Sequence, residues 1–102
     1  MVREIKIEND VRHLAKEELD IESIKLNLSG NRGWPDVLFM FDGNVFFMEF
    51  KAPEQLPREL QVFRLRWLHD HGFHAQVCDN VYDGMEALKK WKQSILGNDS
   101  LK

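Results

Sequence analysis

Asp36, Glu49 and Lys51 are charged residues set into an otherwise apolar stretch, GNRGWPDVLFMFDGNVFFMEFKA, residues 30–52. Two carboxylates and an amine at one place have a defined chemistry. The carboxylates repel each other unless a cation lies between them. Lys51 supplies part of that charge, and a divalent ion supplies more. Carboxylate oxygens suit the hard cations Mg²⁺ and Mn²⁺.

Whether the three groups meet depends on strand register. The dipeptide Asp42-Gly43 between two apolar runs is a two-residue hairpin signal. With those two as the loop, Phe41 pairs with Asn44, Met40 with Val45, Leu38 with Phe47 and Asp36 with Glu49. Directly opposed residues share a face, with Cβ atoms about 4.5–5.5 Å apart. Lys51 is two residues past Glu49 and shares that face. A three-residue loop would instead set Asp36 opposite Phe50 and disperse the cluster. A plainer alternative stays open: Asp36 begins a strand at its solvated end, and Glu49 and Lys51 form an exposed pair that protects a sheet edge.

The elements around the hairpin follow from periodicity and punctuation. Ile7, Val11, Leu14 and Ala15 recur at helical spacing and predict a helix over 4–19. Alternation through Ile24, Leu26 and Leu28 predicts a strand over 22–28. The hairpin strands are expected at 36–41 and 45–51. A helix is expected over 57–71, with Pro57 in its first turn and Gly72 as its stop. A short strand, FHAQVC, and a helix over 82–96 follow. The order αβββαβα is that of an α/β domain, a mixed sheet flanked by helices.

Length and composition set the outer bounds. With 102 residues, one domain over 1–96 and a flexible tail over 97–102 are expected. The chain is 43% hydrophobic, with seven Phe and three Trp, enough for a compact core. One cysteine, Cys78, excludes an internal disulfide framework and fits a reducing cytosol. No signal peptide and no apolar run near the roughly 20 residues of a membrane span are visible. The net charge of −3 gives no general indication of a nucleic-acid partner. Metal-binding carboxylates, however, would inflate the acidic count.

Gly33-Trp34-Pro35-Asp36, Glu49-Phe50-Lys51-Ala52-Pro53, Gln61, Gly72 and the segment His74 to Val77, in that order, resemble the PD-(D/E)XK nuclease superfamily. More narrowly they look like its VRR-NUC domain, the virus-type replication-repair nuclease. The resemblance runs from Glu4 to Lys90, and short standalone copies look like phage nucleases. It implies a restriction-endonuclease-like core and a Mg²⁺- or Mn²⁺-dependent endonuclease cutting DNA, with branched DNA or four-way junctions as substrate. Asp36, Glu49 and the Phe50 backbone carbonyl would be metal ligands. Lys51 would position the attacking water, and Gln61 would face the site. A helix glutamate completes the set. Glu4 lies within the angular range of the apolar stripe and is preferred. Glu8 on its flank is the second choice, and a simple dipole-favoured acid fits either.

Further expectations attach to this reading. Arg32 would grip a phosphate next to the scissile one, and Lys25, Arg58, Arg64 and Arg66 would extend a backbone-binding track, with ordinary solvated charges as the plainer reading of each. Trp34 would stack on an unpaired base or plug the sheet. A homodimer would offer two cutting sites to a symmetric junction. The protein would act in the cytoplasm of a bacterium or a phage-infected host, with no membrane partner. His69, His71, His74 and Cys78 match no strong zinc spacing. The alternative of another class is a non-catalytic DNA-binding or protein-interaction module on the same fold.

Overall fold

Ile7, Val11 and Ala15 lie on one side of a helix and are almost completely buried, which fixes α1, Glu4–Leu19, against the sheet. The helix stops at Asp20, whose left-handed backbone lets its N–H reach the carbonyl of Lys16. In this computed structural model the described residues are 2–27 and 32–100. The strands are β1, Glu22–Lys25; β2, Val37–Phe41; β3, Asn44–Phe50; and β4, His74–Cys78. Two further helices, α2, Glu59–Asp70, and α3, Val81–Ser100, complete the order αβββαβα.

The sheet order is β1-β2-β3-β4. The first three strands run antiparallel, and β4 lies parallel to β3. A parallel partner needs a long crossover, which α2 provides. Alternation sorts the side chains by face. Val37 and Phe39 of β2 and Phe46, Met48 and Phe50 of β3 point into one core with α1 and with Met85, Leu88, Trp91 and Ile95 of α3. Phe47 and Glu49 point the other way, beneath α2, which buries only Leu68. The site is therefore assembled on the less apolar face, while the opposite face anchors the hairpin.

The hairpin register is the expected one: Phe41 pairs with Asn44, Met40 with Val45 and Leu38 with Phe47. Asp42 and Gly43 have φ of 48° and 79°, the two positive values that a type I′ turn requires. Several boundaries differ from expectation. β1 ends at Lys25, although the Leu26 N–H still donates to the Asp36 carbonyl at 2.7 Å, and residue 28 lies outside the described residues. α2 begins at Glu59, so Pro57 precedes the helix instead of opening it. Arg58 keeps an extended backbone as the N-cap. α3 reaches Ser100, because Gly97 does not interrupt it, so the expected tail is helical as far as that residue. Among the described residues no helix is long and apolar enough to cross a membrane.

Gly33 joins the site loop to α2. Its φ is +85°, and an added Cβ would lie 2.7 Å from both Cγ and the carbonyl oxygen of Leu60. Gly33→Ala is expected to cost about 2 kcal/mol or more through strain and overpacking. Gly43 also has positive φ but faces open space, and Gly43→Asn keeps a residue suited to its turn. Thermal denaturation of the two variants checks this. The first should lose far more stability than the second, and equal losses would contradict the tight Gly33 contact.

Candidate metal centre

The hairpin ends where three carboxylates converge. Glu4, Asp36 and Glu49 each offer an oxygen, and these oxygens lie within 4.8 Å of one another. Glu49 comes from the last turn of the pleat in β3. Asp36 precedes β2 by one residue, and its Oδ2 accepts a hydrogen bond from the Phe50 N–H at 2.9 Å. That bond holds the Asp36 side chain across the strand pair, where the next ladder rung would fall. Glu4 arrives from the first turn of α1. A helix, a loop and a strand thus each contribute one acid.

Glu49 is the least ordinary member. It is only 2% exposed. One oxygen, Oε2, accepts a hydrogen bond from Gln61 Nε2 at 2.9 Å and lies 3.4 Å from Lys51 Nζ. The other, Oε1, is buried and has no hydrogen-bond partner among the described residues. A buried carboxylate oxygen without a partner costs stability unless something binds there. An all-oxygen set with such an orphan fits a hard divalent cation, so the residues present suit Mg²⁺ or Mn²⁺.

Gln61 acts in two directions. Its Oε1 accepts from the Arg58 N–H at 2.8 Å, capping the start of α2, while its Nε2 donates to Glu49. The acceptor and donor ends are thereby assigned by their partners. Lys51 is 6% exposed, and its N–H donates to the Cys78 carbonyl at 2.9 Å, so β4 holds its backbone.

Geometry separates the two helix glutamates: Glu4 lies in the carboxylate cluster and Glu8 does not. Glu8 is buried with both oxygens bonded to Lys25 Nζ, at 2.8 and 2.9 Å. Lys25, expected on a phosphate-binding track, is committed to that pair. Trp34 sits between sheet and helix, its ring centroid 6.2 Å from Phe47 and 6.3 Å from Trp67, which favours the plug reading over a free stacking platform. Arg32 and Arg58 are exposed. The histidines and Cys78 form no metal-binding group among the described residues: His71 stacks on Trp67, His74 stacks on Phe46, and the Cys78 thiol bonds the Asn80 carbonyl. Sequence reasoning missed the Glu8–Lys25 pair. The signal was available, since Glu8 flanks the apolar stripe and a buried carboxylate needs a cation.

Burial, and then repulsion from Asp36, push the Glu49 carboxyl up to about 7, against the opposing pull of Lys51. The folded chain therefore holds a proton at pH values where the unfolded chain, near its ordinary value of 4.5, has lost it. Stability contributed by this group is present below about 4.5 and falls as pH rises towards about 7, by on the order of 3 kcal/mol in total. Denaturant titrations of the metal-free protein should show this decline, and Glu49→Gln should flatten it. An unchanged slope in the variant would show that Glu49 is not the group responsible.

No protein-family model and no curated protein sequence matches the chain. A solved structure described as a VRR_NUC domain does match in three dimensions, with a TM-score of 0.76 and 20% identity. The superposition covers 87% of this chain and 97% of that one. The chain has the fold of a VRR_NUC domain, the fold that the Gly33 to Asp36 and Glu49 to Lys51 motifs had suggested.

Proposed function

We propose that the protein is a metal-dependent endonuclease that hydrolyses DNA phosphodiesters by direct attack of water. The observation carrying this reading is the convergence of Glu4, Asp36 and Glu49 beside Lys51, with Glu49 Oε1 left without a partner among the described residues. Asp36, Glu49 and Glu4 would hold Mg²⁺ or Mn²⁺, with the Phe50 carbonyl as a further ligand. When bound, the ion lowers the pKa of water and offsets negative charge on the phosphoryl oxygens. Gln61 keeps Glu49 Oε2 occupied and so leaves Oε1 for the ion. Lys51, fixed beside Glu49, orients the attacking water and adds positive charge where the phosphorane is most negative.

The step balances without a covalent enzyme intermediate. A water oxygen bonds to phosphorus, the bond to the 3′ oxygen breaks, and that oxygen leaves as a hydroxyl after taking a proton. The products carry 5′-phosphate and 3′-hydroxyl ends. Arg32 and Arg58, both exposed, would grip the backbone beside the cut. Branched DNA, such as a four-way junction, is the proposed substrate, in viral replication or repair.

A homodimer suits that substrate, since a two-fold pair presents two sites to a symmetric junction. The surface best suited to it is the open edge of β4. This edge adjoins a groove of about 410 Å³ lined by Pro57, Val62, Leu65, Arg66, His69, Ala75 and Val77. Sedimentation on junction DNA should show two chains per complex, and a single chain would remove the dimer from the proposal.

Nicking of supercoiled and junction DNA tests the activity. Cutting should require Mg²⁺ or Mn²⁺ and stop in EDTA. Asp36→Ala and Lys51→Ala should each lower kcat by at least about 100-fold with the fold retained, as expected for loss of a ligand or of transition-state charge. Gln61→Ala should lose less, because it removes a positioning contact only. Binding without cutting under every metal would favour the non-catalytic module.

A further inference from the structure

Arg64 lies one helical turn beyond Gln61 and shares its side of α2. Its guanidinium carbon stands 4.6 Å from the centroid of Trp34, 5.3 Å from Trp67 and 5.6 Å from Phe63. Arg64 has no carboxylate or hydrogen-bond acceptor among the described residues, and its Nε is buried without a partner. Aromatic faces attract the cation but leave the N–H donors of its fork unmatched. Lys25 and Lys51 differ in this: Lys25 is bonded to Glu8 and Lys51 to Glu49.

The location gives this unmatched fork a use. Trp34 directly precedes Pro35 and Asp36, and it packs on Phe47. Phe47 is one pleat repeat, roughly 7 Å, from Glu49 on the same face of β3. The guanidinium is thus held by Trp34, from the loop that carries Asp36, and by Phe63 and Trp67 of α2, the helix whose Gln61 bonds Glu49. A planar fork that is weakly hydrated and already immobilised is suited to bidentate contact with a phosphate. We propose that Arg64 grips the DNA phosphate adjacent to the one that is cut, with Trp34 and Trp67 as its fixed floor. This rests on the nuclease reading and adds a residue that positions the strand.

The test separates charge from packing. Arg64→Met keeps apolar contact with the rings, and Arg64→Lys keeps the charge. Binding of labelled duplex and four-way-junction DNA is measured in EDTA between low and moderate salt, and cleavage kinetics in Mg²⁺. In Arg64→Met the slope of log affinity against log salt should fall by about 0.9, the loss of one phosphate contact. KM should rise about tenfold or more with kcat little changed. Arg64→Lys should restore the salt slope and only part of KM. Arg64→Gln replaces Arg64→Met if the latter fails to fold. Unchanged slope and KM in a folded, actively cutting Arg64→Met or Arg64→Gln would overturn the phosphate grip alone. A wild-type protein that binds with the expected slope difference yet never cuts would overturn the nuclease reading and leave the grip standing. Absence of DNA binding by the wild type would overturn both.

Discussion

Three carboxylate oxygens within 4.8 Å of one another, one of them on a residue that is 2% exposed, create repulsion that the fold must hold in place. Such a cluster does not stabilise a small domain on its own account. Lys51 offsets part of the charge and Gln61 satisfies one oxygen, but Glu49 Oε1 is left over. That leftover oxygen is where the proposed divalent ion would bind. Much of the surrounding structure serves to prevent the acids from moving apart.

The restraint comes from the opposite face. Phe46, Met48 and Phe50 are locked into the core with α1 and α3, and Val37 and Phe39 share that core. Because side chains alternate, burying these residues obliges Phe47, Glu49 and Lys51 to point towards α2. A slip of one residue would send Glu49 into the hydrocarbon core. The tight reversal at Asp42 and Gly43 excludes that slip, and the Phe50 N–H bond to Asp36 fixes the end of the pair. The apolar packing therefore acts on the chemistry through register.

The parts of this arrangement that rest on local rules were legible in the sequence. Asp-Gly named the turn and hence the pairing of β2 with β3, and the stripe of Ile7, Val11 and Ala15 located α1 almost to the residue. Glu4 was preferred over Glu8, and Glu8 proved to have its own partner in Lys25. What escaped depends on side chains meeting across elements. Nothing in the sequence says that Trp34 lies under Arg64, because that contact requires the loop and α2 to be placed independently. The start of α2 was misjudged because Pro57 suits a first helical turn. Gln61 instead caps the chain at Arg58, and the helix opens later. α3 outran its expected end because one exposed glycine weakens a helix without breaking it.

The central claim is that these three acids form a site for one divalent cation. A crystal soaked in Mn²⁺ and examined by anomalous scattering tests it most directly. The account predicts a manganese peak bridging Glu4, Asp36 and Glu49 at about 2.0–2.3 Å from their oxygens, ordinary lengths for a hard cation on carboxylates. A peak elsewhere, or side chains of Asp36 and Glu49 turned to opposite faces of the sheet, would contradict it.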